Sequence, residues 1–94
     1  MYLTTGLTKT ISGSSNYKYL ILQFRFQADN YSTTLGVMPQ DSYRSIYVSY
    51  TYQGSHSRLD IHRSGDTISF PYADVYIYLD RVFGTNDDTF YNQV

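Results

Sequence analysis

The sequence predicts a small antiparallel β-sandwich, and three features predict it. Apolar and polar residues alternate at period two in several runs, as in Leu20-Ile21-Leu22-Gln23-Phe24-Arg25-Phe26, and that period belongs to strands. The composition is that of a β protein: 12 tyrosines, no glutamate, and alanine only at Ala28 and Ala73. Turn signals rich in Gly, Pro, Ser, Asn and Asp recur every ~8–12 residues, which gives about seven short strands. A partly closed small barrel uses the same alternation and is the alternative.

The segment Tyr2 to Ile11 is threonine-rich and alternates weakly, so it reads as an edge strand. Ser12 to Asn16 is a turn by composition. Tyr17 to Gln27 is the strongest strand, with Leu20, Leu22, Phe24 and Phe26 on the core face. Tyr19, Ile21, Gln23 and Arg25 then point the other way. After a turn at Ala28 to Asn30, Tyr31 to Met38 forms a strand on which Leu35 and Val37 share a face.

Pro39 to Ser42 is a loop, and Tyr43 to Gln53 is a long strand with Ile46, Val48 and Tyr50 inward. Gly54 to His56 turns into Ser57 to Arg63, where Leu59 and Ile61 point in and Arg58, Asp60 and His62 point out. Ser64-Gly65-Asp66 reads as a tight hairpin into Thr67 to Phe70. Pro71 is expected to end that strand, because proline donates nothing to a ladder. The last strand, Asp74 to Phe83, carries Val75, Ile77 and Leu79 inward and Tyr76, Tyr78 and Asp80 outward, and Gly84 closes it.

Ninety-four residues make a single domain, 1–94. Residues 1–6 and 85–94 are the parts expected to fray or to pack on a partner. The seven basic residues are scattered singly against eight aspartates, for a net charge of −1. A nucleic-acid footprint needs clustered positive charge, so nucleic acid is not an expected partner. No apolar run reaches the ~18 residues of a membrane helix. Met1 to Ile11 shows no basic stretch followed by an apolar one, so no signal peptide is read there.

Catalysis and cofactors find little support. Asp60, His62 and His56 are close in sequence, yet a zinc site wants three or four convergent ligands, and the chain has no cysteine or glutamate to complete one. Ser55-His56-Ser57 lies in a turn without a Gly-x-Ser-x-Gly elbow. The expectation is a non-enzymatic protein with no metal and no cofactor.

The tyrosines carry the functional reading. Outward tyrosines are good strand formers that pair across a sheet or fill a subunit interface. They also suit sugars, whose apolar C–H faces stack on aromatic rings while polar side chains fix the hydroxyls. Tyr43, Arg44, Tyr47, Tyr52, His56, Asp60 and His62 are the candidate ligand-binding set, with Arg63 of similar chemistry. Tyr76 and Tyr78 on the closing strand are the candidate interface of a homo-oligomer.

The order of features resembles a known group. A serine-rich turn leads to Asn16-Tyr17-Lys18-Tyr19-Leu20-Ile21-Leu22-Gln23-Phe24-Arg25-Phe26. Tyr31-Ser32-Thr33-Thr34 and a proline follow, and the chain closes on Val75 to Gly84. Over residues 7–84 this resembles the small C-terminal β domains of tail, baseplate and tail-fibre (receptor-binding) proteins of phages of Gram-positive bacteria. The resemblance implies a virion domain for host attachment, often trimeric, that holds cell-surface saccharide. It fixes no binding residue position by position. At 94 residues the chain departs from the group in having no shaft or triple-helical stalk, and if it is a whole protein the expectation becomes a decoration or head-fibre protein. A purely structural virion module and a small viral or bacterial protein that inhibits a host factor are the alternative functions.

Overall fold

The computed structural model describes residues 1–26, 33–49, 56–74 and 76–90. Among these described residues there are seven strands: β1 (Leu7–Thr10), β2 (Tyr19–Phe26), β3 (Thr34–Pro39), β4 (Tyr43–Ser49), β5 (His56–Ser64), β6 (Thr67–Ala73) and β7 (Ile77–Thr85). Short 3-10 turns lie at Ser14–Asn16 and Asp88–Phe90. All ladders are antiparallel and form two sheets, β1-β6-β5-β4 and β3-β2-β7. The sheets do not join into a barrel. The fold is therefore the open β-sandwich, and the barrel alternative falls away.

The inner faces meet as alternation demands. Leu20, Leu22 and Phe24 of β2, Val48 of β4, Leu59 and Ile61 of β5, Ile68 and Phe70 of β6, and Ile77 and Leu79 of β7 form one buried cluster. Burying a side chain of this size stabilises by about 1.5–3 kcal/mol. Phe24 and Phe70 meet edge to face across the sandwich, with ring centres 6.5 Å apart.

Several elements differ from the sequence reading, each for a physical reason. The first segment divides between the two sheets. Met1 and Leu3 bond to Leu79 and Ile77 of β7, and Leu7–Thr10 pairs with β6. Gly6, at φ 88, makes the turn between them. Phe26, expected in the core, is only half-buried and lies edge to face against Tyr76. Leu35 and Val37 do share a face, but it is the outer one. The register Leu20↔Met38 and Leu22↔Gly36 turns Met38 and Gly36 inward instead. A Cβ on Gly36 would come within 3.3 Å of Phe24 and 3.4 Å of Ile46, so the core closes tightly over that glycine.

Pro71 does not end its strand. β6 runs on to Ala73 because Pro71 sits in a bulge: between Asp60↔Tyr72 and His62↔Ser69, both Phe70 and Pro71 stand opposite Ile61. A bulge is one of the few places in a sheet where proline fits. The run Tyr72 to Tyr78 is accordingly split between the end of β6 and the start of β7. Val75 and Tyr50, both expected inward, lie outside the described residues. A second bulge at Asp80 shifts β7 against β2, between Phe24↔Leu79 and Gln23↔Arg81. It turns Val82 and Gly84 inward, so the strand continues past Phe83 to Thr85. The hairpin at Gly65-Asp66 forms as read, with Gly65 at φ 56.

Candidate functional site

The outer face of the four-stranded sheet gathers most of the candidate residues. The β4–β5 register sets Tyr43 opposite His62, Ser45 opposite Asp60 and Tyr47 opposite Arg58. All six share the outer face by alternation. The bulge at Pro71 shifts the parity of β6, so that Tyr72 follows the inward Ile68 and Phe70 yet comes out on this face, opposite Asp60.

Asp60 is the centre. It points outward but is only 4% exposed, because its neighbours close over it. Its carboxylate accepts from Arg58 Nη2 at 2.8 Å and Nε at 3.2 Å, from Ser45 Oγ at 2.7 Å and from the Tyr43 hydroxyl at 3.3 Å. A carboxylate offers about four acceptor positions, so Asp60 is saturated. These bonds, Arg58's first and Ser45's next, hold its pKa down at about 2. The same pairing raises the pKa of Arg58, and desolvation followed by Asp60 raises that of Tyr43.

Arg58 is held on three sides. Its guanidinium lies 4.7 Å from the centre of the Tyr72 ring, a cation–π distance. Its backbone N–H donates to Asp74 Oδ2 at 2.8 Å. Tyr72 donates its hydroxyl to the other oxygen of Asp74, which lowers the Asp74 pKa and raises that of Tyr72. Around this locked centre, Tyr43 and Tyr47 stand 58% and 57% exposed, and the Tyr43 ring lies 6.0 Å from that of His62.

Tyr43, Tyr47, Asp60 and His62 thus come together as the alternation implied. Arg44 does not join them. It stands opposite Ile61 and shares the inner-face parity of Ile46 and Val48, because it is one residue out of step with Tyr43. Tyr52 lies outside the described residues, and His56 opens β5 opposite Ser49. Arg58, Ser45 and Tyr72 complete the group without having been selected from the sequence. Arg58 and Ser45 were legible as neighbours on the same strand face, whereas Tyr72 depended on the bulge.

Arg63 belongs elsewhere. It is 1% exposed and its guanidinium bonds the carbonyls of Ser14, Tyr17, Lys18 and Met38 at 2.6–3.1 Å. Its parity with Leu59 and Ile61 already pointed it inward.

Tyr78 lies on the outer side of the other sheet, and Tyr76 in the turn just before β7. Both are engaged within the chain. Arg25 covers Tyr78 at 4.5 Å, Tyr2 meets it edge to face at 5.2 Å, and the Tyr76 N–H donates to the Tyr2 hydroxyl at 3.2 Å. The two tyrosine groups therefore sit on opposite sheets.

The Asp60 network predicts acid sensitivity. Asp60's pKa is lower in the folded chain than the ordinary ~3.9, so its ionised form is bound preferentially by the native state. Its contribution is fully present above the unfolded value and is lost as pH falls from ~5 towards ~2. Asp66 and Asp74 shift in the same direction, so their contributions too are lost on acidification. Urea midpoints are expected to be flat down to about pH 5 and to fall below it. Asp60→Asn should flatten part of that fall, and an unchanged pH profile in this variant would remove Asp60 as a cause.

Comparison with family models, with curated proteins and with solved structures finds no match for this chain.

Proposed function

We propose that the chain is a non-enzymatic attachment domain of a phage virion, of the tail, baseplate or fibre type, and that its β4-β5-β6 outer face holds cell-surface saccharide. The virion reading rests on the resemblance of residues 7–84. The ligand class rests on one observation: two well-exposed tyrosine rings flank a buried, saturated carboxylate that fixes the donors around it.

Such a face suits a sugar for three reasons. Exposed rings on rigid strands offer flat apolar area at little entropic cost. Side chains whose geometry is already fixed by hydrogen bonds to Asp60 present hydroxyl and guanidinium groups at constant positions for sugar hydroxyls. The charge balance is slightly negative, because one arginine, Arg58, stands beside two aspartates, Asp60 and Asp74. That balance favours neutral saccharide over a phosphate-rich polymer.

A glycan array and pull-down with Gram-positive cell-wall saccharide test the reading. Tyr43→Ala and Tyr47→Ala are each expected to weaken binding about tenfold, the effect of losing about 1.4 kcal/mol of contact. Tyr76→Ala, in the turn that leads into the far sheet, is expected to leave it unchanged. Absence of any saccharide signal, or equal loss in all three variants, would overturn the assignment and favour a structural virion module.

A further inference from the structure

The two most exposed rings of the β4-β5-β6 face are held apart by the strand that carries them. Tyr43 and Tyr47 lie on one face of β4, four residues apart. A strand rises about 3.3–3.4 Å per residue, which puts their Cα atoms roughly 13 Å apart. A pyranose unit covers less than half of that span, so no single sugar touches both rings.

The ground between the rings is polar and fixed. Ser45 sits midway along β4, opposite Asp60, and gives its hydroxyl to that carboxylate. Arg58, opposite Tyr47, reaches back to the same carboxylate through Nε and Nη2. A guanidinium has five N–H groups. Two of them go to Asp60, and the other three find no hydrogen-bond acceptor among the described residues. The Tyr72 ring lies 4.7 Å from the guanidinium, yet the Arg58 side chain stays 50% exposed. Donors that are held in place but not yet bonded therefore lie in the interval between Tyr47 and Tyr43.

Tyr72 does not offer a third platform of the same kind. Its ring is engaged by Arg58, its hydroxyl is tied to Asp74, and it is the least exposed of the three tyrosines. The line from Tyr43 to Tyr47 is the one along which two exposed rings bracket unbonded donors.

Resting on the saccharide reading above, we propose that the ligand is an oligosaccharide chain lying lengthwise along β4. One unit stacks on Tyr43 and another on Tyr47, and the stretch between them accepts from the remaining N–H groups of Arg58. The ligand class is thus a trisaccharide or longer, and a single terminal sugar leaves the site half filled. Two weak stacking contacts on one chain reinforce each other, because the second is made within a complex that the first has already formed. The fixed spacing on the strand also selects: an extended chain spans the two rings, and a tightly coiled one does not.

Competition by fragments tests this. The Gram-positive cell-wall saccharide used in the pull-down is partly hydrolysed and separated by size into mono- to hexasaccharide. Each fraction then competes, at equal molar concentration, with the parent polysaccharide for the unmodified chain. The half-inhibitory concentration is expected to be high for the monosaccharide, to drop about tenfold by the trisaccharide and to level off beyond it. In Tyr43→Ala and in Tyr47→Ala the drop should vanish. Tyr43→Phe and Tyr47→Phe, which keep the rings, should retain it. A monosaccharide that inhibits as well as the trisaccharide, or a drop that persists in either alanine variant, would overturn the lengthwise chain and leave saccharide binding in place. Failure of the parent polysaccharide to bind at all would overturn both readings.

Discussion

Arg63→Ala is expected to destabilise the domain by about 3–5 kcal/mol, the range for breaking a buried charged interaction from one side. Arg63 is fully buried, and no acid lies in ion-pair contact with it among the described residues. Main-chain carbonyls of Ser14, Tyr17, Lys18 and Met38 take its protons instead. Burial pushes its pKa down, and the nearby carboxylates of Asp41 and Asp66 oppose that push.

Three of the four acceptors lie between Ser14 and Lys18, so the guanidinium pins this turn to β5. Asp66 grips the same turn from the hairpin, accepting from the N–H groups of Ser15 at 2.7 Å and Gly13 at 3.2 Å. A buried ion pair can often be replaced by apolar residues because both charges leave together. Main-chain acceptors cannot be mutated away. Arg63→Met is therefore expected to recover packing but little of the loss. With ~4–8 °C per kcal/mol for a domain of this size, the alanine variant should melt roughly 12–40 °C lower. Arg63→Met within ~1 kcal/mol of the parent would show that the carbonyls do not depend on the guanidinium.

How much of this was legible in the sequence follows from the range of the signal. Alternation is local, and it correctly placed Leu20, Leu22, Phe24, Val48, Leu59, Ile61, Ile77 and Leu79 in the core. It also placed Tyr43, Tyr47, Asp60 and His62 on one outer face. For Arg63 the parity was readable, but its acceptors lie 25 to 49 residues away and are main-chain groups, invisible to a side-chain pattern.

Bulges escape for a related reason. An extra residue at Pro71 or Asp80 is defined against the partner strand, so neither strand's own pattern declares it. Tyr72 is the functional consequence. Strict alternation from Phe70 would bury it, and the bulge instead delivers its ring to Arg58. The sandwich could be inferred from local pattern, but the pairing that completes the site could not.

Phe70→Ala is expected to cost about 3–5 kcal/mol, the usual range for Phe→Ala in a core. Phe70 is fully buried on β6 beside the bulge and meets Phe24 of the opposite sheet at 6.5 Å with the ring planes at 87°. Truncation removes the contact that ties the two sheets together at this level. The surroundings cannot readily collapse into the gap, because its neighbours lie on paired strands and Gly36 already brings β3 close to Phe24. The main chain keeps its own anchors, including the Gly6 N–H to the Phe70 carbonyl at 2.8 Å, so the loss is one of packing rather than of strand pairing. Urea unfolding should then show a lower midpoint with an unchanged slope. A double-mutant cycle with milder variants, Phe24→Leu and Phe70→Leu, should reveal a coupling of about 0.5–1.5 kcal/mol from the edge-to-face pair. The effect should reach the outer face too, since Phe70 seats the bulge that turns Tyr72 outward. In Phe70→Ala, below its melting point, the upfield NMR shift that the Tyr72 ring gives the Arg58 side chain should shrink. A Phe70→Ala cost under ~1.5 kcal/mol, with that ring shift intact, would show that the bulge holds its shape without the aromatic bridge.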